Sequence, residues 1–290
     1  MSTRFSSGSS GGAERVDGVQ NDGLLLVLSP DWIIRRASEN AHKLIGRSHV
    51  QLVDEPLSKI FRADPLHSLR NQLGRLGGMP GTMRVYDTLL TDALDRYDVA
   101  MTSDERSVLF EAVPTQSDPG ELLGSVGHVA ARLDGVKPEK IYLEGARRLR
   151  ALLGYDSVAL VGIGGDCLGE SLRGGLNDAT CSTQPACSID DHIVAVGDLE
   201  GPVVPVFPRL KDGQSAPFAT LRVLGDEVSD TLLAEEVKAV LQIPVRVQGR
   251  VWGAFVCQHR RPRPLRLEEQ AAAELYAQFF ALHLQAAGKA

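Results

Sequence analysis

Cys257, Gln258 and His259 follow one another near the end of the chain, and Asp190, Asp191 and His192 form a second run able to move protons or hold a metal. Along a strand the first trio alternates, so Cys257 and His259 face one side and Gln258 the other. The Gln258 amide can bond a ligand carbonyl, as a neutral imidazole would, or a neighbouring loop in a collapsed pocket. For His192 with the two aspartates, a third metal ligand could come only from Cys181 or Cys187, at spacings typical of no standard site. A solvated loop is the simpler reading there. The four cysteines, Cys167, Cys181, Cys187 and Cys257, form no CxxC pattern, which points to reduced thiols.

Catalytic signatures are missing from the sequence. Gly162-Ile163-Gly164-Gly165 is too short and wrongly spaced for a dinucleotide fingerprint. There is no G-x-S-x-G nucleophile elbow and no P-loop, kinase or cyclase motif, so the expectation is a protein without enzyme activity. The net charge of −6 gives no reason to expect nucleic acid or an anionic membrane as partner. Arg260, Arg261, Arg263 and Arg266 read as a solvated rim. No run approaches the roughly 20 apolar residues that cross a bilayer. Residues 1–15 are rich in Ser and Gly without a hydrophobic signal core, which reads as a disordered tail on a cytoplasmic protein.

Two domains of ordinary size fit the 290 residues, 43% of them hydrophobic. In the first, Leu24–Leu28, a Ser29-Pro30-Asp31 turn and Trp32-Ile33-Ile34 make a hairpin pattern. Short helices follow at 38–45, with Ser38 as N-cap, at 56–61 and at 67–76. Strands are predicted at 82–89, 95–102 and 108–114. In the second, Pro138 opens a helix running to Leu153, followed by a buried strand from Ser157 to Ile163. Residues 164–217 are irregular, and loops this long tend to be functional. A helix at 232–241, with Glu235 and Glu236 paired to Lys238 on its surface, precedes two strands around Gln248-Gly249-Arg250. The closing helix, Glu268–Leu284, carries Ala272, Leu275, Phe279 and Leu282 along one stripe. Tyr276, Phe280 and His283 lie on its other faces. That is more apolar surface than one sheet buries, so pairing with a second copy is expected.

Gly18–Leu28 is similar to the Ile-Gln-Pro-His-Gly-x-Leu-Leu-x-Leu opening of bacterial phytochromes. Val251-Trp252-Gly253-Ala254-Phe255-Val256-Cys257-Gln258-His259, with Pro262-Arg263-Pro264 after it, resembles their Leu-Trp-Gly-Leu-Ile-x-Cys-His-His and Pro-rich turn. Gly154-Tyr155-Asp156-Ser157-Val158 resembles the family's Tyr-Asp-Arg-Val, and the stretch from Val203 to Arg222 resembles its lasso loop. The resemblance spans Val16 to Leu284 and implies an α+β fold: a PAS domain over 16–134 and a GAF domain over 135–290. Each would be an antiparallel sheet flanked by helices, with the arm at 16–20 passing through or against the loop 202–221 and knotting the two together.

The departures bear on the pigment. Residues 1–22 hold no cysteine, and Asp226–Leu233 holds neither Cys nor His, so both of the family's attachment positions lack a thiol. Ser188-Ile189-Asp190-Asp191 is the remnant of its Asp-Ile-Pro motif, and Gln258 replaces its first histidine. The resemblance implies a GAF pocket whose ligand-binding residues are Gln258, Ile189, Asp190 and Val161. Because some bilin-binding GAF domains use loop cysteines, Cys167 is the remaining candidate for thiol attachment, against a plain loop thiol. The expectation is a sensory and signalling module with no cofactor and covalent bilin attachment lost. It would pair through its GAF helices and, with no further domain after the last helix, act on an unknown partner in trans. The alternative is a photoreceptor holding biliverdin non-covalently.

Overall fold

The structure, a computed structural model, describes residues 18–75, 81–103, 106–116, 121–173, 189, 192–211 and 218–289. Apolar alternation builds two antiparallel sheets. The first draws on β1 (Gly18–Gln20), β2 (Leu24–Leu28), β3 (Ile34–Ser38), β4 (Thr82–Thr88), β5 (Tyr97–Ser103) and β6 (Val108–Pro114). Between β3 and β4 lie α1 (Ala41–Ile45), α2 (His49–Leu52), a 3-10 turn at Leu57–Lys59 and α3 (Ala63–Arg75). β2 is buried on both faces. Leu24, Leu26 and Leu28 enter the core under α3 with Phe61 and Phe110, while Leu25 and Val27 face the second domain. A strand covered on both sides reads as a continuous apolar run, and this one does.

The second sheet has the order β8-β7-β12-β11-β9. Its strands are β7 (Ser157–Gly162), β8 (Cys167–Leu172), β9 (Val194–Val196), β11 (Ala239–Val247) and β12 (Arg250–His259). α4 (Glu121–Ala131), α5 (Ile141–Leu153) and α7 (Leu267–Ala286) contribute to the core on one side of it, and α6 (Asp226–Ala234) supplies Leu232 to the cluster on the other. The β11–β12 turn uses Gln248 and Gly249, with φ of 52° and 78°. Positive φ at both central residues suits the twist of a two-residue hairpin.

One strand belongs to both halves. β10 (Val203–Phe207), from the second half of the chain, lies between β1 and β3, completing a seven-stranded order β1-β10-β3-β2-β6-β5-β4. On the other side of the arm, Val19 bridges to Arg222, and the Gln20 N–H donates to the Leu221 carbonyl at 2.8 Å. The arm therefore runs between two limbs of one excursion, 203–205 and 221–222, as the lasso resemblance implies.

Several local expectations are corrected. Ser38 does not cap a helix: it ends β3, and its hydroxyl accepts the Leu25 N–H at 3.0 Å, while α1 starts at Ala41. The helix expected at 232–241 ends at Ala234, and Val240 and Leu241 are in β11, paired with Val196 and Ala195. The chain turns at Glu236, whose φ of 60° no helix accommodates. Lys238 accordingly pairs with Glu200 at 2.6 Å instead of with the glutamates before it. Cys167 lies on a strand, not in a loop. α4, absent from the sequence reading, carries Gly124 and Gly127, which disfavour helix. It forms because Glu268 of α7 accepts the Leu122 and Leu123 N–H groups at its first turn.

Candidate functional site

Alternation along β12 fixes the site. Ala254, Val256 and Gln258 face one side, and the register sets them beside Val161, Ala159 and Ser157 of β7 and Pro244, Gln242 and Val240 of β11. Of the residues expected to hold a ligand, Gln258 and Val161 share this face, and Ile189 packs on the same cluster. Asp190 lies outside the described residues. Gln258 is 6% exposed and Gln242 only 2%. On this face Ala159, Val161, Val196, Leu232, Val240 and Val256 form an apolar cluster, with Leu224 and Val228 packed against it.

Cys257 points the opposite way, into the core shared with α7, where burial and the nearby Glu269 carboxylate push its thiol well above the ordinary range. It is free and buried. Cys167 sits opposite Val161 in the β7–β8 ladder and is disulfide-bonded, so the expectation of reduced thiols does not hold for it. A bond from its sulfur to a ligand would first require reduction.

His259, beyond the buried part of β12, meets Asp156. Its Nδ1 is 3.2 Å from Asp156 Oδ2 and accepts the Arg261 N–H at 3.1 Å. Burial pushes the Asp156 carboxyl up, but the Arg260 N–H, His259 and Arg173 together hold it below its ordinary value. Burial lowers His259, and Arg263, Arg173 and Arg261 add to that against the pull of Asp156. The arginines expected as a solvated rim are in part structural. Arg263 lies over the Tyr155 ring at 4.2 Å and donates to Glu269 at 2.7 Å and to the Leu153 carbonyl at 3.0 Å.

His192 stacks on Phe218 with 4.2 Å between ring centroids. Both line an open cleft of about 480 Å³ between the two halves, with Thr82, Arg246, Glu274 and Gln278. Among the described residues no group of three His, Cys, Asp or Glu side chains could hold a metal ion.

The polar residues that join the halves escaped the sequence reading of sites. The Gln20 amide, 5% exposed, donates to the Ala195 carbonyl at 2.7 Å and the Arg222 carbonyl at 2.9 Å, and accepts the Gly197 N–H at 2.9 Å. Arg36 donates to the Pro208 carbonyl at 2.7 Å, and Arg84 makes a two-pronged pair with Glu274 of α7 at 2.8 and 3.2 Å. Glu111, in the middle of apolar β6, accepts the Thr220 and Leu221 N–H groups. A lone charge in a strand of Val, Leu, Phe and Ala was the available signal.

Residues 137–284 match the family model for the GAF domain, and residues 14–80 match that for a PAS fold. The chain is 24% identical over 285 residues to "Phytochrome-like protein Cph1" of Synechocystis sp., covering 89% of this chain and 38% of that protein. It therefore spans under two fifths of the length of that relative. Among solved structures, the chromophore-binding domain of an unusual bacteriophytochrome, RpBphP3 from R. palustris, superposes with a TM-score of 0.78 at 18% identity, covering 96% of this chain and 98% of that one. A longer structure of RpBphP3 gives a TM-score of 0.77 at 20% identity, covering 93% of this chain and 59% of that one.

Proposed function

The chain belongs to the GAF domain family, with a PAS fold ahead of that domain, and from that premise we propose that it is a phytochrome-like sensory and signalling module acting through protein contacts, without catalysis and without a covalently attached bilin. The observation that carries this reading is the apolar cluster on the Gln258 face. Valines and leucines occupy the sheet surface there, where a tetrapyrrole would need several hundred Å³ of open volume. A charged ring system would also need buried acceptors, and an unpaired buried charge costs several kcal/mol. Thiol attachment is disfavoured at both cysteines among the described residues: Cys257 faces away and Cys167 is disulfide-bonded.

Signalling then rests on surfaces. α7 buries Tyr276 and Phe280 against the sheet and leaves Phe279 at 37% and Leu282 at 60% exposure, near the scale of Leu143 on α5 at 47%. These outward residues are the stripe for a second copy of the chain, in an isologous pairing of α5 and α7. We place the division between the two domains at 134–135, after α4.

The test is an absorption spectrum of the purified protein before and after biliverdin is added, followed by zinc-stained fluorescence on a denaturing gel. The expected result is no visible-region band of a bound pigment and no fluorescent band. A band that survives denaturation overturns the loss of covalent attachment, and one lost on Cys167→Ala assigns the bond to that thiol. A pigment spectrum that disappears on denaturation makes the protein a non-covalent photoreceptor.

A further inference from the structure

Glu111 is 1% exposed in the middle of β6, opposite Leu25 of β2 and Ala100 of β5, neither of which has a polar side chain to offer. Its carboxylate reaches out of the sheet instead. One oxygen accepts the Thr220 N–H at 2.9 Å and the other the Leu221 N–H at 2.6 Å. The same short segment holds the arm from its other side. The Leu221 carbonyl accepts the Gln20 N–H at 2.8 Å, and the Arg222 carbonyl accepts the Gln20 amide at 2.9 Å. Thr220–Arg222 is thus fastened to the PAS sheet by one carboxylate and closes over the arm through its own carbonyls.

We propose that Glu111 is a proton-linked latch, so that docking of the 218–222 limb over the arm is coupled to protonation of this carboxyl. Complete burial raises the carboxyl from its ordinary 4.5 to about 6, although the Leu221 and Thr220 N–H groups, the Thr220 hydroxyl and Arg84 all pull it down. Among the described residues, the charged and titratable groups around it include buried Asp98, two positions from Ala100 on the same face of β5. Asp98 accepts the Thr115 hydroxyl at 2.8 Å and the Asp87 N–H at 3.0 Å. β4 brings Arg84 and Tyr86, with Arg84 already committed to Glu274 of α7. α7 also brings Glu268, bonded to the start of α4, whose own Glu121 and His128 are exposed. The limb itself brings Arg222, laid over Phe218 at 4.5 Å.

The sign follows from the raised value. The docked state holds the proton more tightly than an undocked, hydrated Glu111, so docking is strongest below about pH 4.5 and weakens as pH rises through about 6. The gap between those values makes the docked-to-undocked ratio about thirtyfold larger in acid than at neutral pH. At neutral pH the latch is held by two charge-assisted bonds against the cost of a buried charge, and pulling the limb away releases that strain.

The test uses the full chain and is independent of the pigment question. NMR is used to titrate the Glu111 carboxyl carbon and the Thr220 and Leu221 amides from pH 4 to 8 in wild type and in Glu111→Gln, with amide exchange corrected for its intrinsic pH dependence. The expected result is one shared midpoint near 6 in wild type. Exchange protection at Thr220 and Leu221 should fall about thirtyfold across it, and this dependence should be absent in Glu111→Gln. A carboxyl midpoint at the ordinary glutamate value overturns the proposal, as does the same amide titration in the variant. Should Glu111→Gln not fold, the wild-type carboxyl midpoint and its agreement with the two amides decide the matter alone.

Discussion

At the scale of single residues, close approach and buried hydrogen bonds set the outcome of substitution. Gly145 of α5 packs against α7 so tightly that an added Cβ would lie 2.2 Å from a ring carbon of Phe280, and its carbonyl accepts the Tyr276 hydroxyl at 2.9 Å. Gly to Ala inside a helix normally gains up to about 1 kcal/mol, but overpacking costs about 1–3 kcal/mol. The clash is with a fully buried ring that cannot swing away, so Gly145→Ala should destabilise. Urea unfolding checks this, and an unchanged or raised midpoint would show that the helices part freely. Gln20 offers the converse case. Gln20→Leu leaves the buried Gly197 N–H without its acceptor and the Ala195 carbonyl without that donor, at about 1–3 kcal/mol for each unsatisfied group. A loss below about 1 kcal/mol in the same measurement would mean that water replaces the amide.

At the scale of elements, α7 decides how the molecule meets its surroundings. The stripe read from the sequence, Ala272, Leu275, Phe279 and Leu282, is divided: Phe279 and Leu282 point outward, Leu275 is partly buried against the core, and Ala272 joins Tyr276, Phe280 and Leu284 on the buried face. Both faces are apolar, so periodicity alone could not choose between them. The sheet chose: Phe255 stacks edge-on to Phe280 at 4.9 Å and lies 5.9 Å from Tyr276. If the outer stripe seats a second copy, Phe279→Glu together with Leu282→Glu should convert a dimer to a monomer in light scattering at tens of micromolar, a range set by moderate affinity. The unfolding midpoint should barely move, because neither side chain supports the core. A wild type that is already monomeric there would remove the dimer.

At the scale of the whole molecule, the two halves are not separable bodies. One hydrophobic cluster includes Leu25, Val27 and Val113 from the first half and Leu241, Phe255 and Tyr276 from the second. β10 completes the first sheet from within the second half, with the arm on its far side. Loss of either half therefore strips the other of strand partners and of core, and unfolding should be a single transition. The chain has two tryptophans, Trp32 in the first domain and Trp252 in the second. Trp32→Phe and Trp252→Phe variants give one fluorescence probe per half, and their urea midpoints should coincide. Clearly separated midpoints would mean that the clamp formed by Gln20, Arg36 and Glu111 is weaker than its hydrogen bonds suggest.

The sequence by itself determined the family of folds and part of the element order, without α4 or the strands β8, β9 and β10. Alternation in β4–β6 and β11–β12 and the apolar run of β2 depend on local periodicity, which is written in consecutive residues. It also determined which face of β12 carries Gln258, since a strand has only two. Only the tertiary structure decided the rest. It brought side chains from β7, β9, β11 and α6 into one apolar cluster on the Gln258 face, set Cys167 on a strand edge in a disulfide, and turned Phe279 and Leu282 outward. It also brought Glu111 to Thr220 and Leu221, more than a hundred residues away. The physical reason is common to these: each depends on which surfaces from distant parts of the chain exclude water together, and a buried polar group takes whatever partner that packing delivers. Spacing along the chain carries no record of that choice.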